Sequence, residues 1–305
     1  MRISTNTIYQ SGISKISDIQ VEQSKLQQQI ATGRRILTPS DDPVGSARAL
    51  QLTQSQKIGT QYADNRGAAQ TKLGLEDGTL QGVSDLLLSV KTALVAAGNG
   101  SYSDTERNFL ASELEGSLDH LLGLANATDG AGHHIFSGSQ TGTIPFTKTT
   151  TGATYQGDAL QQKLQVGSSR QLEVNDAGNA IFQAGGQDIF KSLTDAITLL
   201  KTPVTNAATA AALTTGLNSA QSGLESTLDS VLTTRAMVGS RLKELEALDN
   251  FGSEANLQYA QSLSSLQDLD YAKALSDASQ QQTILTAAQK SFVNITSLSL
   301  FDLIR

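Results

Sequence analysis

The chain has 305 residues, a formal net charge of −7, and neither cysteine nor tryptophan. The acidic balance argues against a nucleic-acid partner, whose phosphates favour a basic face, and the lack of cysteine removes disulfides and thiolate metal sites. Charged residues make up 17% of the chain, against roughly 25% in an ordinary domain. Polarity rests instead on Ser, Thr, Gln, Asn and Gly, whose neutral groups let copies of one chain stack without like-charge repulsion.

The first residues, Met1-Arg2-Ile3-Ser4-Thr5-Asn6, lack the apolar core of a secretory signal. The chain is therefore expected to be cytosolic or to leave by a route that needs no cleaved signal. Apolar runs such as Leu86-Leu87-Leu88 are too short to cross a bilayer, so no membrane partner is expected.

Helical patterning dominates both ends. Ile16, Ile19, Gln23, Leu26, Ile30 and Gly33 are spaced by three and four, as in a coiled-coil seam. The segment Gly33-Arg34-Arg35-Ile36-Leu37-Thr38-Pro39-Ser40-Asp41-Asp42-Pro43 then breaks the pattern. Pro39 pushes Thr38 to an extended conformation, while Asp42 is placed to cap a new helix with Pro43 at its first position. Arg34 and Arg35 read equally well as a solvated pair or as partners for acids of a neighbouring molecule.

The second helix carries Leu80, Val83, Leu87, Val90 and Leu94 on one stripe and ends near Asn99-Gly100. A third places Leu110, Leu114, Ser117, Leu121 and Leu124 on one face. From about Asp129, short apolar runs alternate with Gly, Asn and Thr, which predicts a small β insert with a hairpin turn at Asn175–Asn179.

Helical periodicity returns near Asp188, with the strongest stripe of the chain at Leu217, Gln221, Leu224, Leu228, Val231, Arg235, Val238, Leu242 and Leu245. Asn250-Phe251-Gly252-Ser253 is expected to interrupt it. The last helix carries two seams. One is Tyr271, Leu275, Ala278, Gln282, Leu285, Gln289 and Phe292; the other is Ile284, Ala288, Ser291, Ile295 and Leu298.

The expected fold is mainly α with a β insert: an elongated antiparallel bundle formed by the N- and C-terminal segments, with a small central β domain at its tip. The divisions expected are 1–40, 41–130, 131–187, 188–252 and 253–305. Ile16, Ile19, Leu26, Ile30, Leu275, Leu285, Phe292, Ile295 and Leu298 are expected to form an assembly interface. They would stay mobile in the monomer, because isolated helices are marginal in water.

No catalytic constellation emerges. His120, His133 and His134 are the only histidines, and adjacent loop histidines chelate poorly, so neither metal nor cofactor is expected. Gly130-Ala131-Gly132 does not continue into a phosphate loop. Asp41-Asp42 reads as a cap rather than an acid–base pair, because adjacent residues do not face one another on a helix.

Leu26 to Leu50, reading LQQQIATGRRILTPSDDPVGSARAL, resembles the N-terminal signature of the flagellin family. The Thr-Pro-Ser-Asp-Asp-Pro form is closer to the hook–filament junction branch of that family than to the filament subunit. Asp270-Tyr271-Ala272-Lys273-Ala274-Leu275-Ser276-Asp277, the segment Ser291–Ile304, Ile135-Phe136-Ser137-Gly138 and Tyr155-Gln156-Gly157-Asp158 are similar to the same branch.

This resemblance implies a structural role in the bacterial flagellum, with the filament subunit, flagellin, as the alternative. It also implies export through the flagellar type III apparatus and an extracellular location. The implied partners are a hook-associated protein on the hook side, flagellin on the filament side, and copies of the chain in a ring. A cytosolic export chaperone would hold the C-terminal helical region.

Overall fold

The computed structural model describes the backbone of residues 5–301 and the side chains of residue 7 and residues 9–294. In order, the elements are α1 (Thr5–Thr32), α2 (Pro43–Ala97), α3 (Asp104–Ala125), β1 (Phe146–Thr149), β2 (Gly152–Tyr155), β3 (Lys163–Gln165), β4 (Gln171–Glu173), α4 (Gly178–Phe182), α5 (Ile189–Lys201), α6 (Ala207–Gln267) and α7 (Tyr271–Phe301). The mainly helical fold with a central β region is as expected. The chain divides into two units, residues 59–253 and residues 1–58 with 254–305.

The central unit holds the apolar core. Leu80, Val83, Leu87, Val90 and Leu94 of α2, the stripe expected for that helix, are buried with Leu114, Leu118 and Leu121 of α3. Leu193, Ile197 and Leu200 of α5 and Leu217, Leu224 and Val231 of α6 complete the cluster. An 18-residue window of α2 is long and apolar enough to cross a membrane, although no single apolar run is. Its apolar stripe is covered by the other core helices instead.

The helix starts follow from local chemistry. Ser103 and Glu106 form a reciprocal capping box on α3. The Asp188 carboxylate accepts from the amides of Phe190 (2.9 Å) and Lys191 (3.1 Å) at the start of α5.

The β insert consists of two separate antiparallel hairpins rather than one sheet. An isolated hairpin is marginal in water, and each of these packs on helices. In β1–β2, Thr149 pairs with Gly152 around the tip Thr150-Thr151. The Phe146 ring packs edge-on against Phe182 and tilted against Tyr155 and Phe190, at centroid distances of 5.5, 5.1 and 4.9 Å. In the second hairpin, Leu172 of β4 and the flanking Val166 and Val174 are buried and join Ala69 and Leu73 of α2 and Val238 and Leu245 of α6.

Two expectations are corrected. Asn175–Asn179 is not a hairpin turn. The Asn175 side chain bridges Gln162 N and Gly138 O, and Gly178 donates to Phe136 O and opens the short helix α4. The second correction is the break at Asn250–Ser253, because α6 runs through it unbroken. A helical glycine costs only about 1 kcal/mol against Ala. Here Gly252 makes room for Arg66, whose Nη2 would lie 2.7 Å from an added Cβ. That guanidinium is buried and reaches Asp249 Oδ1 (2.9 Å) and Val166 O (3.2 Å).

Candidate assembly interface

In the terminal unit, α1 and α7 run antiparallel in one register. The Tyr9 and Phe292 rings meet with centroids 5.0 Å apart. The Gln23 side-chain amide donates to the Gln282 carbonyl. The carbonyl of Gly33 accepts from Leu269 N at 3.0 Å.

The α1 seam is the one read from its spacing. Ile16, Ile19, Gln23, Leu26 and Ile30 are half-buried while the residues between them are largely exposed. The matching row on α7 is Ala274, Ala278, Gln281, Leu285, Ala288 and Phe292, of which Ala274 and Leu285 are buried. Leu285 and Phe292 therefore meet α1 as neighbours within one chain. Leu275 does not lie on this row: it is 57% exposed and shares a face with Tyr271, while Ile284 lies on the opposite side of the row. The first α7 seam thus mixed two faces, since a step of four from Tyr271 rotates slightly past the row that a helical partner covers. The side chains of Ile295 and Leu298 lie outside the described residues.

The broken segment between α1 and α2 is fastened rather than loose. Gly33, at φ 69°, ends α1 in the left-handed conformation common at helix C-termini. Arg35 N donates to Gln267 O (2.7 Å), and Arg35 Nη2 reaches Leu266 O (2.9 Å) and Asp42 Oδ2 (3.4 Å). Arg34 forms an isolated antiparallel bridge with Asp268. As its spacing suggested, Asp42 caps α2, with Oδ1 accepting from Gly45 N at 2.8 Å.

Asp41 gathers Lys25 Nζ (2.7 Å) and the amides of Leu37 (3.0 Å) and Thr38 (2.9 Å). The Lys25 ammonium, followed by the Thr38 amide, holds its carboxyl well below the usual carboxylate range. Sequence reading found the cap but not this hub, because Lys25 lies on the solvent side of an apparently continuous helix.

Several large apolar side chains are largely exposed in this unit: Val21, Val44, Leu50, Leu257 and Leu275 are each more than half exposed. A groove of about 500 Å³ lies along the α1–α7 pair, lined by Glu22, Lys25, Leu26, Gln29, Asp277, Gln280, Gln281 and Ile284. The Gln281 Oε1 atom is buried with no hydrogen-bond partner among the described residues. Among the described residues no group of three or more His, Asp or Glu side chains could hold a metal.

A family model for the bacterial flagellin N-terminal helical region matches residues 3–141. The flagellar hook-associated protein 3 of Escherichia coli (strain K12) is 38% identical, with 99% of each chain covered. That of Salmonella typhimurium is 37% identical over the full length of both. A solved flagellar hook-associated protein from Vibrio parahaemolyticus shares the fold, with a TM-score of 0.69 and 24% identity over 75% of this chain and all of that one. Likeness along the whole length, rather than in the N-terminal region alone, places this chain in the flagellar hook-associated protein 3 family.

Proposed function

We propose that this chain is the structural subunit joining the flagellar hook to the filament, and that the α1–α7 pair is its assembly element. The observation carrying this reading is the uneven coverage of the terminal unit. One row of each helix is used within the chain, while Val21, Leu257 and Leu275 remain more than half exposed. Burying such a side chain contributes about 1.5–3 kcal/mol, offset by about 1–2 kcal/mol for each residue ordered on docking. The net drive per chain is small and accumulates over a ring of contacts.

The cis row, Ile16, Ile19, Leu26, Ile30, Leu285 and Phe292, sets the pair, and Leu275 faces the neighbours. The neighbours are a hook-associated protein on one side, flagellin on the other and copies of the chain around the ring. The family relationship and the neutral, Gln-rich surfaces of α1 and α7 support this assignment. Before assembly the chain leaves through the flagellar type III apparatus without a cleaved signal, its C-terminal helices held in the cytosol by a chaperone.

The test is Leu275→Ser in motile cells. The purified variant should keep its helicity by circular dichroism, because Leu275 is 57% exposed and lies off the row that meets α1. Cells should then build hooks and shed flagellin into the medium. Normal filaments with Leu275→Ser and with a further Leu257→Ser change would overturn the role of this face.

A further inference from the structure

Glu76 is a fully buried carboxyl group, 0% exposed, one helical step from Leu73 and Leu80 on the covered stripe of α2. Its Oε1 accepts from the backbone amide of Asp176 at 3.1 Å. Its Oε2 has no hydrogen-bond partner among the described residues. The contact ties α2 directly to the end of the β3–β4 segment.

The charges around it are committed elsewhere. From α6, Arg241 grips Asp176 through Nη1–Oδ2 (2.7 Å) and Nη2–Oδ1 (3.2 Å), and reaches Glu173 Oε2 of β4 at 3.4 Å. Lys163 of β3 lies 3.3 Å from Glu173. On α2 itself, Asp77 pairs with Arg235 of α6 (2.9 Å), and Lys72 donates to Gln162 (2.9 Å). One guanidinium thus faces Asp176, Glu173 and Glu76 together, and its donors go to the first two. An ionised Glu76 would add an unpaired negative charge to a dry interior beside Asp176, which is strongly disfavoured.

We propose that Glu76 is kept as a neutral carboxylic acid and acts as a proton-dependent fastener, clamping residues 161–176 to α2 and α6. When the proton passes to solvent, the charged side chain must leave the interior and the segment opens. Burial, then the Asp176 charge, pushes the Glu76 carboxyl up to about 8, with Arg241 and the Asp176 amide pulling the other way. In the open segment the group titrates near its ordinary 4.5. Between those values the closed form holds a proton that the open form lacks. The stabilisation is complete below the lower value, fades as pH rises and is gone above the upper one.

The test is amide hydrogen exchange on the full chain, corrected for intrinsic rates, for the natural chain and Glu76→Gln. Opening of 161–176 should increase at least about tenfold between about pH 5.5 and about pH 8 in the natural chain, and stay level in the variant. The α3–α5 core should show no such dependence. Should the amide disturb folding, Glu76→Met removes the titration at similar volume. The same pH slope in the natural chain and in whichever variant folds would overturn the proposal, as would a flat profile in the natural chain.

Discussion

The Arg241 guanidinium holds both carboxylate oxygens of Asp176, at 2.7 and 3.2 Å, and so joins α6 to the end of the second hairpin. Both side chains are largely removed from water, with 13% and 8% of their surfaces exposed. Replacing Arg241 by Ala would leave the Asp176 charge buried beside Glu76 without an ionic partner, only the Gln161 amide still donating to it. Breaking a buried pair in this way costs about 3–5 kcal/mol. Urea unfolding followed by circular dichroism should show a midpoint lowered to match, whereas Arg170→Ala, which removes the exposed pair with Glu244, should shift it by less than about 1 kcal/mol.

The first hairpin is anchored by an aromatic side chain rather than a charge. Phe146→Ala empties the space between Tyr155, Phe182 and Phe190 and should cost about 3–5 kcal/mol. Ile144→Ala, two residues away and 52% exposed, should be close to neutral. Near-ultraviolet circular dichroism should lose the contribution of Tyr155, one of six tyrosines, in the first variant alone.

Ser103 closes a reciprocal cap with Glu106 at the start of α3. Ser103→Ala should destabilise by about 1 kcal/mol and Ser103→Gly by only a few tenths. Thermal melts of the two variants should separate in that order.

Limited proteolysis of the monomer should cut within α1 and the later part of α7 before any site in the central core. The terminal pair buries few large side chains: Leu285 is covered, but Ile16, Ile19, Leu26 and Ile30 only partly so. Fragments should retain residues around Leu114 and Leu193. Early cleavage inside α3 or α5 would contradict this order of stabilities.

Much of this was legible because spacing reports faces directly. The α1 seam at Ile16, Ile19, Gln23, Leu26 and Ile30 is the row that turns out half-buried, and the Asp42–Pro43 pair marks the start of α2. What failed was punctuation. Gly252 and its polar neighbours read as a stop because a local signal cannot reveal that a distant arginine needs the space. Asn175 and Asp176 read as a turn because their partners, Gln162, Gly138 and Arg241, lie on other elements. Leu275 was grouped with the wrong neighbours on α7, since its seam and the true row differ by about one residue around the helix. Glu76 went unremarked although it stands three residues after Leu73 and four before Leu80. A carboxylate at a stripe position is the signal that could have exposed it.

The β1–β2 hairpin turns at Thr150-Thr151, where residues 147–151 are all open to solvent and the anchoring contacts belong to Phe146 and Ala153 on either side. A foreign peptide spliced between those two threonines would leave the ladder and the ring cluster untouched. The position is therefore suited to an epitope tag or a single introduced cysteine for a fluorophore, so that individual subunits can be followed by microscopy in living cells.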